Sequence, residues 1–224
     1  MAIHPSLLLQ FPLLRNLTEQ DIQTLAARSL TQEFAKREVV LNKNSPAQHL
    51  CFLLEGKLQA IDFTLDGKEV GIYFIDEGQY FGEIAMLDGG TQPEMVIATK
   101  RSQVVKVPAQ EIRGVIFSSP AAMEGVTRGL AERIRRQTQQ RQLLAISNPV
   151  QRITAQLQAL GHTANQMQVI VNAPTHQEIA IMVNLTRETV TRTFQILLSQ
   201  GALSRDGDNL LVDPEKLRRL TEKD

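Results

Sequence analysis

The stretch from Thr175 to Phe194 constrains the fold more than any other, because it contains two helix starts separated by one tight corner. Thr175, with Glu178 three residues later, forms the capping box that opens a helix. Asn184 tolerates the left-handed backbone conformation that a sharp turn between helices requires. Thr186 belongs to the residue types favoured at the N-cap of a second helix. The stretch therefore predicts a helix-turn-helix.

The second of these helices has an apolar side and a polar side at helical spacing. The apolar side carries Val190, Thr193, Phe194 and Leu197, and the polar side carries Arg187, Glu188, Thr191, Arg192 and Gln195. Arginine can donate two hydrogen bonds to a guanine edge in the DNA major groove, and glutamate can accept one from the cytosine amino group. The pattern is suited to reading bases, although a solvated surface helix shows it as well.

Two segments carry a resemblance to a known family. Arg187-Glu188-Thr189-Val190-Thr191-Arg192 closely resembles the recognition helix of the cyclic-AMP receptor protein/FNR family of bacterial transcription regulators. Thr175-x-Gln177-Glu178-Ile179-Ala180 resembles that family's preceding helix. The Arg-Glu-x-x-x-Arg spacing is similar to the receptor-protein branch, which reads palindromic TGTGA-like sites.

The resemblance implies a role for each polar residue of the motif. Arg187 and Arg192 would donate to guanines and Glu188 would accept from cytosine. The helix starts and the side chains near them would hold DNA phosphates, which assigns phosphate contacts to Thr175, His176, Thr186 and Thr189. The implied partners are double-stranded DNA, a second copy of the chain in a homodimer, and RNA polymerase.

Charge and composition bound this interpretation. The chain has 24 basic and 24 acidic residues, and the part from Asn148 onward has eight of each. DNA-binding domains usually show a basic footprint, so DNA binding here depends on where individual charges lie. No apolar run is long enough for a membrane span, the first residues lack the basic region of a signal peptide, and the single cysteine excludes an internal disulfide. We therefore expect a soluble, cytoplasmic protein.

The N-terminal half changes from a helical to a strand pattern. Phe11 to Ala27 predicts one helix, with a capping signal at Thr18 and Asp21. Short strand-like runs separated by turn signals follow and predict an antiparallel β-roll. Within Thr31 to Pro108, examples of these runs are Glu38–Leu41, Leu50–Leu54, Lys57–Phe63, Gly71–Ile75, Met95–Thr99 and Gln103–Val107.

One loop of the predicted roll resembles the phosphate-binding cassette of cyclic-nucleotide-binding domains. Gly82-Glu83-Ile84-Ala85 matches the cassette start, where backbone N–H groups surround a phosphate and the glutamate takes a ribose hydroxyl. The family also carries an arginine, usually followed by Ser or Ala, about ten residues after the glutamate to neutralise that phosphate. Here the nearest candidates are Gln92 and Glu94, and the segment has no basic residue.

A cyclic nucleotide is therefore disfavoured as a cofactor, and three interpretations stay open. The sensor domain is ligand-independent, or it binds an effector other than cyclic AMP, or the protein is a cyclic-AMP-responsive regulator with an atypical pocket. The effector pocket implied by the resemblance comprises Gly82, Glu83, Ile84, Ala85, Gln92, Glu94, Gln137 and Thr138.

Pro120 to Ser147 predicts a long helix whose near-heptad positions suit pairing with a twin helix. Those positions are Val126, Leu130, Ala131, Ile134, Thr138, Arg141, Leu144 and Ala145. Asn148-Pro149 ends the helix. After it, the pattern predicts a helix over Val150–Leu160, a strand over Gln166–Val171, the helix-turn-helix, a hairpin over Ala202–Arg205 and Leu210–Val212, and a last short helix.

The predicted fold class is α+β, in three parts. Residues 1–118 form the antiparallel, cyclic-nucleotide-binding-like β-roll, 119–147 the long dimerisation helix, and 148–224 the winged helix-turn-helix. An iron–sulfur sensor would need several cysteines, and this chain has one, so that kind of sensor is excluded. A remote alternative is a cupin-like metalloenzyme, which needs clustered histidines, whereas the four histidines are scattered in sequence. We expect no enzyme and no metal.

Overall fold

The structure is a computed structural model that describes residues 3–67, 69–164 and 167–221. Two compact units divide the chain, Met1–Arg133 and Ile134–Asp224. Among the described residues, no helix combines the length and apolarity needed to cross a bilayer.

The first unit contains a roll of two four-stranded antiparallel sheets. One has the strand order β1-β8-β3-β6 and the other β2-β7-β4-β5. The strands are β1 Leu30–Phe34, β2 Val39–Leu41, β3 His49–Glu55, β4 Leu58–Phe63, β5 Glu69–Ile75, β6 Tyr80–Phe81, β7 Met95–Ala98 and β8 Ser102–Pro108. All six predicted strands are present with ends shifted by a few residues, and the antiparallel roll is confirmed. β1 and β6 were not predicted.

Helices cover this roll. They are α1 Pro5–Leu8, α2 Glu19–Arg28, α3 Glu83–Asp88, α4 Ala109–Ser118 and α5 Pro120–Leu144, with a short 3-10 turn at Pro12–Leu14. The single helix predicted from Phe11 to Ala27 is wrong in its first half. α2 begins only after Thr18, whose hydroxyl accepts the Asp21 N–H at 3.2 Å. That cap confirms the predicted signal and fixes the helix start, because an N-cap residue has non-helical backbone angles.

Two apolar cores hold the first unit together. Inside the roll, Cys51, Leu53, Phe81 and neighbouring residues of both sheets pack together. On the other side of β3 and β8, Phe52 and Val105 pack against residues of α1, α2, α4 and α5. Alternate residues of β3 therefore serve different cores, which explains why most of this strand is buried rather than alternating between buried and exposed.

The long helix α5 differs in burial along its length. Val126 is 1% exposed and packs in the helix-side core of the first unit. It is therefore not available to a partner helix, and its place in the predicted seam is wrong. Ile134 is 64% exposed, and Thr138 and Arg141 are also exposed.

The second unit has the predicted winged helix-turn-helix elements. They are α6 Pro149–Leu160, β9 His162–Ala164, β10 Met167–Ile170, α7 His176–Met182, α8 Arg187–Ser199, β11 Leu203–Asp206, β12 Asn209–Val212 and α9 Pro214–Thr221. The strands form one antiparallel sheet in the order β11-β12-β10-β9, and β9 was not predicted. Gln166, the first residue of the predicted strand, lies outside the described residues.

Candidate nucleic-acid interface and sensor pocket

Capping fixes the two helices of the helix-turn-helix. Thr175 and Glu178 form the complete capping box, with each side chain accepting the other residue's backbone N–H. Asn184 has φ +49°, the left-handed conformation that the corner requires. Thr186 caps α8 by accepting the Thr189 N–H at 3.2 Å. These three sequence predictions are confirmed, and together they set the start of α8.

Helix α8 has one buried face and one exposed face. Val190 and Leu197 are fully buried, and Phe194 is 2% exposed, so this face is fixed in the core of the second unit. Arg187, Glu188 and Arg192 are exposed on the remaining surface. Among the described residues, none of these three takes part in an ion pair. Their charges therefore face solvent and can meet a ligand.

His176, at the start of α7, lies against α8. Its Nδ1 is 3.0 Å from the Thr191 hydroxyl, and its ring lies 4.5 Å from the Phe194 ring between centroids. Burial lowers the pKa of His176, and the nearby positive charges of Arg205 and Arg187 lower it further. These effects favour the neutral form of the imidazole, and its predicted phosphate contact stays a prediction.

The basic residues of the second unit are divided between structural and exposed positions. Arg152 donates to the carbonyls of Ile146 at 2.8 Å and Val183 at 3.0 Å, so it braces the turn before α8. Arg205 instead is exposed on strand β11. Sequence reasoning missed Arg205, because only the fold places the wing hairpin beside the start of α7.

The cassette-like loop has the backbone that its glycine predicts. Gly82 has φ +84° and caps α3. A Cβ there would lie 3.2 Å from Leu41 Cδ1, so both the backbone and the space favour glycine. Glu83 follows and is 4% exposed, and Ala85 is 1% exposed. Ile84 is half-buried.

A guanidinium lies among the carboxylates of this loop. Arg133 Nη1 donates to Glu83 Oε1 at 2.5 Å. Its Nη2 donates to the Tyr73 hydroxyl at 2.7 Å and also to Glu94 Oε1, while the Tyr73 hydroxyl donates to the same Glu94 oxygen. Burial acts to lower the pKa of Arg133, but Tyr73, Glu83 and Glu94 together raise it. Burial raises the pKa of Tyr73. We call these four residues the Arg133 cluster.

Arg133 was not among the predicted pocket residues, because it lies 50 residues after Glu83 in the sequence. A usable signal was present in the helical spacing, since Val126 and Arg133 are one heptad apart and share a face of α5. Gly129 lies on that face as well, where a Cβ would meet the Tyr80 hydroxyl at 2.1 Å. Burial, followed by Glu83 and Glu132, raises the pKa of Tyr80 to about 12.

Gln92, another predicted pocket residue, lies beside the backbone of Gly82. Gln92 is 4% exposed, its side-chain nitrogen lies 3.4 Å from the Gly82 carbonyl oxygen, and its backbone N–H donates to Ser45 at 2.8 Å. Gln137 and Thr138 belong to the second unit and are exposed. Their part in an effector pocket stays a prediction.

The residue types that could bind a metal ion do not form a site among the described residues. Cys51 is fully buried, and burial raises the pKa of its thiol to about 12, which leaves it neutral and unreactive. Within the part of the chain that the structure describes, no three His, Cys, Asp or Glu residues come together where they could hold a metal ion.

Comparisons with known proteins agree with this geometry. Residues 31–119 match the Cyclic nucleotide-binding domain family, and residues 151–220 match the Crp-like helix-turn-helix domain. The cAMP-activated global transcriptional regulator CRP of Haemophilus influenzae is 24% identical over 188 residues, covering 80% of this chain and 82% of that protein. The CRP-like cAMP-activated global transcriptional regulator of Mycobacterium tuberculosis is 24% identical over 210 residues, covering 89% and 94%.

A similar fold occurs in a solved structure, that of FixK2 from Bradyrhizobium japonicum, with a TM-score of 0.69 at 19% identity, covering 86% of this chain and 96% of that one. The fold and the two domain matches define a DNA-binding transcription regulator with a cyclic-nucleotide-binding domain. The chain belongs to the cyclic-AMP receptor protein/FNR family.

Proposed function

We propose that the protein is a homodimeric regulator that reads a palindromic TGTGA-like site through α8. The observation that carries this proposal is the division of α8, whose Arg187, Glu188 and Arg192 are exposed while its opposite face is fully packed. A helix held in this way can enter a major groove without losing core contacts. Arg187 and Arg192 donate to guanines, and Glu188 accepts from cytosine.

Phosphate contacts flank this helix. Thr175 and Thr186 cap α7 and α8, so the free N–H groups of both helix starts, with His176 and Thr189 beside them, form the phosphate-binding surface. Arg205 adds a cation on the wing. Local placement of this kind lets a unit without net positive charge bind DNA, and dimerisation doubles the number of contacts.

The proposed dimer pairs α5 with its copy through the exposed part of the helix, which includes Ile134. Two-fold symmetry then places two recognition helices on half-sites about one helical turn apart. Sedimentation of the purified chain tests this directly, since a dimer is expected. RNA polymerase is the proposed further partner, the cytoplasm the proposed location, and no catalytic activity is assigned.

Selection from random double-stranded oligonucleotides tests the DNA-reading proposal. The full-length chain is expected to enrich a palindrome, and the variant Arg187→Ala/Arg192→Ala is expected to lose it while keeping its thermal unfolding profile. Arg101→Ala is the matched control, because that arginine is exposed in the first unit and pairs with Glu33. Enrichment of no palindrome by the unaltered chain would overturn the proposal.

For the sensor domain, we propose that DNA binding does not require cyclic AMP, so the domain is ligand-independent or answers to another small molecule. The Arg133 cluster supports this, because its guanidinium is already engaged by Glu83 and Glu94. A cyclic-AMP-responsive regulator with an atypical pocket is the alternative. Calorimetry with cyclic AMP, cyclic GMP and cyclic di-GMP, beside DNA binding with and without each, distinguishes the two.

A further inference from the structure

The four residues of the Arg133 cluster form hydrogen bonds with one another, while Arg133 Nε and Glu83 Oε2 are buried without a hydrogen-bond partner among the described residues. The guanidinium uses Nη1 for Glu83 and Nη2 for Glu94 and Tyr73. The Arg133 side chain also lies over the Tyr73 ring, 4.5 Å from the centroid. The side chains of Glu83 and Glu94 are only 5% and 12% exposed. Contacts of this kind are strong because water is largely absent and both partners are charged.

The cluster carries an excess of negative charge. It contains two carboxylates and one guanidinium, and among the described residues the ion pairs of Glu83 and Glu94 are formed with Arg133 alone. A cyclic mononucleotide would bring a further negative charge to this place. The phosphate of the nucleotide would meet the carboxylates of Glu83 and Glu94. Both terminal nitrogens of Arg133 already donate to these carboxylates, so they are not free to bind the phosphate.

Glu94 lies at the part of the loop where the family's cassette has the residues that bind the phosphate. In the family's cassette, an arginine followed by Ser or Ala lies about ten residues after the glutamate. Ten residues after Glu83, this chain has Pro93, followed by Glu94. A carboxylate thus stands beside the position of a phosphate-neutralising cation. The chain compensates that carboxylate internally, with a guanidinium from α5 and a hydroxyl from β5.

We infer that Glu94 is the internal anion of this sensor domain and the residue that sets its specificity. In the unliganded protein its carboxylate forms an ion pair with the Arg133 guanidinium. The negative charge of Glu94 repels anionic cyclic mononucleotides and so prevents them from binding. This inference deepens the proposed independence from cyclic AMP and rests on it. Glu83 alone would leave Arg133 balanced, so Glu94 supplies the surplus charge.

Calorimetry of the full-length chain with cyclic AMP and cyclic GMP tests the inference. The unaltered protein is expected to show no binding at concentrations on the order of 1 mM. Glu94→Gln keeps the size of the side chain and removes its charge. Pro93→Arg/Glu94→Ser introduces the arginine followed by serine that the family's cassette carries. Each is expected to bind cyclic AMP at least about tenfold more tightly than the unaltered chain.

Glu69→Gln is the matched control. It removes one carboxylate from the same unit, but one that pairs with the mostly exposed Arg37 outside the cluster, and it is expected to behave like the unaltered chain. Submicromolar binding of cyclic AMP by the unaltered chain would overturn the inference. So would absence of any gain in both cluster variants when their thermal unfolding shows that they are folded.

This test is independent of DNA. If oligonucleotide selection fails while the calorimetry gives the expected pattern, the DNA-reading proposal falls and the role of Glu94 stands. If the unaltered chain binds cyclic AMP tightly while selection succeeds, the reverse holds.

Discussion

Arg133 Nη1 and Glu83 Oε1 form a partly buried ion pair at 2.5 Å that joins helix α5 to helix α3, 50 residues apart in sequence. Because Arg133 also bridges to Glu94, α5 is fixed to the cassette-like loop and to the strand that follows it. The pocket that sequence reasoning left without a cation therefore has one, supplied from outside the cassette.

Removing Arg133 is expected to be more damaging than removing the charge of Glu94. Arg133→Met leaves two largely buried carboxylates without a cation, which we expect to lower the free energy of unfolding by roughly 3 kcal/mol. Glu94→Gln leaves Arg133 paired with Glu83 and is expected to cost about 1 kcal/mol. Chemical denaturation measures both values.

The double variant Arg133→Met/Glu94→Gln is expected to be more stable than Arg133→Met alone, because it relieves the repulsion between Glu83 and Glu94. Strict additivity of the two single changes would show that the pair is not coupled.

Arg187 and Arg205 are expected to affect DNA binding differently. Arg187→Ala should reduce discrimination at one G·C pair by roughly 1–3 kcal/mol per half-site, because a bidentate contact to guanine is lost. Arg205→Ala should weaken binding to all sequences and reduce the salt slope by about 1 per half-site, because a phosphate contact is lost in each protomer. Competition titrations on specific and scrambled DNA measure both. Equal losses on the two DNAs for Arg187→Ala would mean that this arginine contacts only the backbone.

Gly129 is expected to be required for the approach of α5 to Tyr80. Alanine at an ordinary helix position stabilises by about 1 kcal/mol relative to glycine. Gly129→Ala is instead expected to destabilise by roughly 1–3 kcal/mol through overpacking, because its Cβ would lie 2.1 Å from the Tyr80 hydroxyl. Tyr80→Phe removes that oxygen and should rescue most of the loss. Gly114→Ala is the control, since a Cβ there meets nothing within 4 Å.

His176 is expected to make the second unit sensitive to acid. Its folded pKa lies below the ordinary value because of burial and then of Arg205 and Arg187. The unfolded chain therefore binds the proton first, so this contribution is complete above about pH 6.5 and is lost as the pH falls through the lower folded value. NMR titration of the ring should give a midpoint below about 6.5, and His176→Gln should flatten the acid limb of stability. A midpoint at or above the ordinary value would contradict the ring's burial against Phe194.

The sequence by itself determined the local features of this protein. The capping box at Thr175, the left-handed Asn184, the N-cap Thr186 and the apolar face of α8 are short-range patterns, and each depends on residues within about two helical turns. The short strand-like runs separated by turn signals likewise predicted the roll. For the same reason the residues proposed to read DNA could be chosen before any fold was known.

Only the tertiary structure decided which charges meet at the cassette-like loop. Pairing Arg133 with Glu83 and Glu94 depends on how α5 packs against the roll. Helical spacing can place Arg133 on the same face of α5 as Val126, but it does not say which carboxylates that face meets. The same packing buries Val126 and so removes it from the predicted seam. Long-range contacts of this kind depend on which faces of distant elements meet, and that is fixed when the cores form.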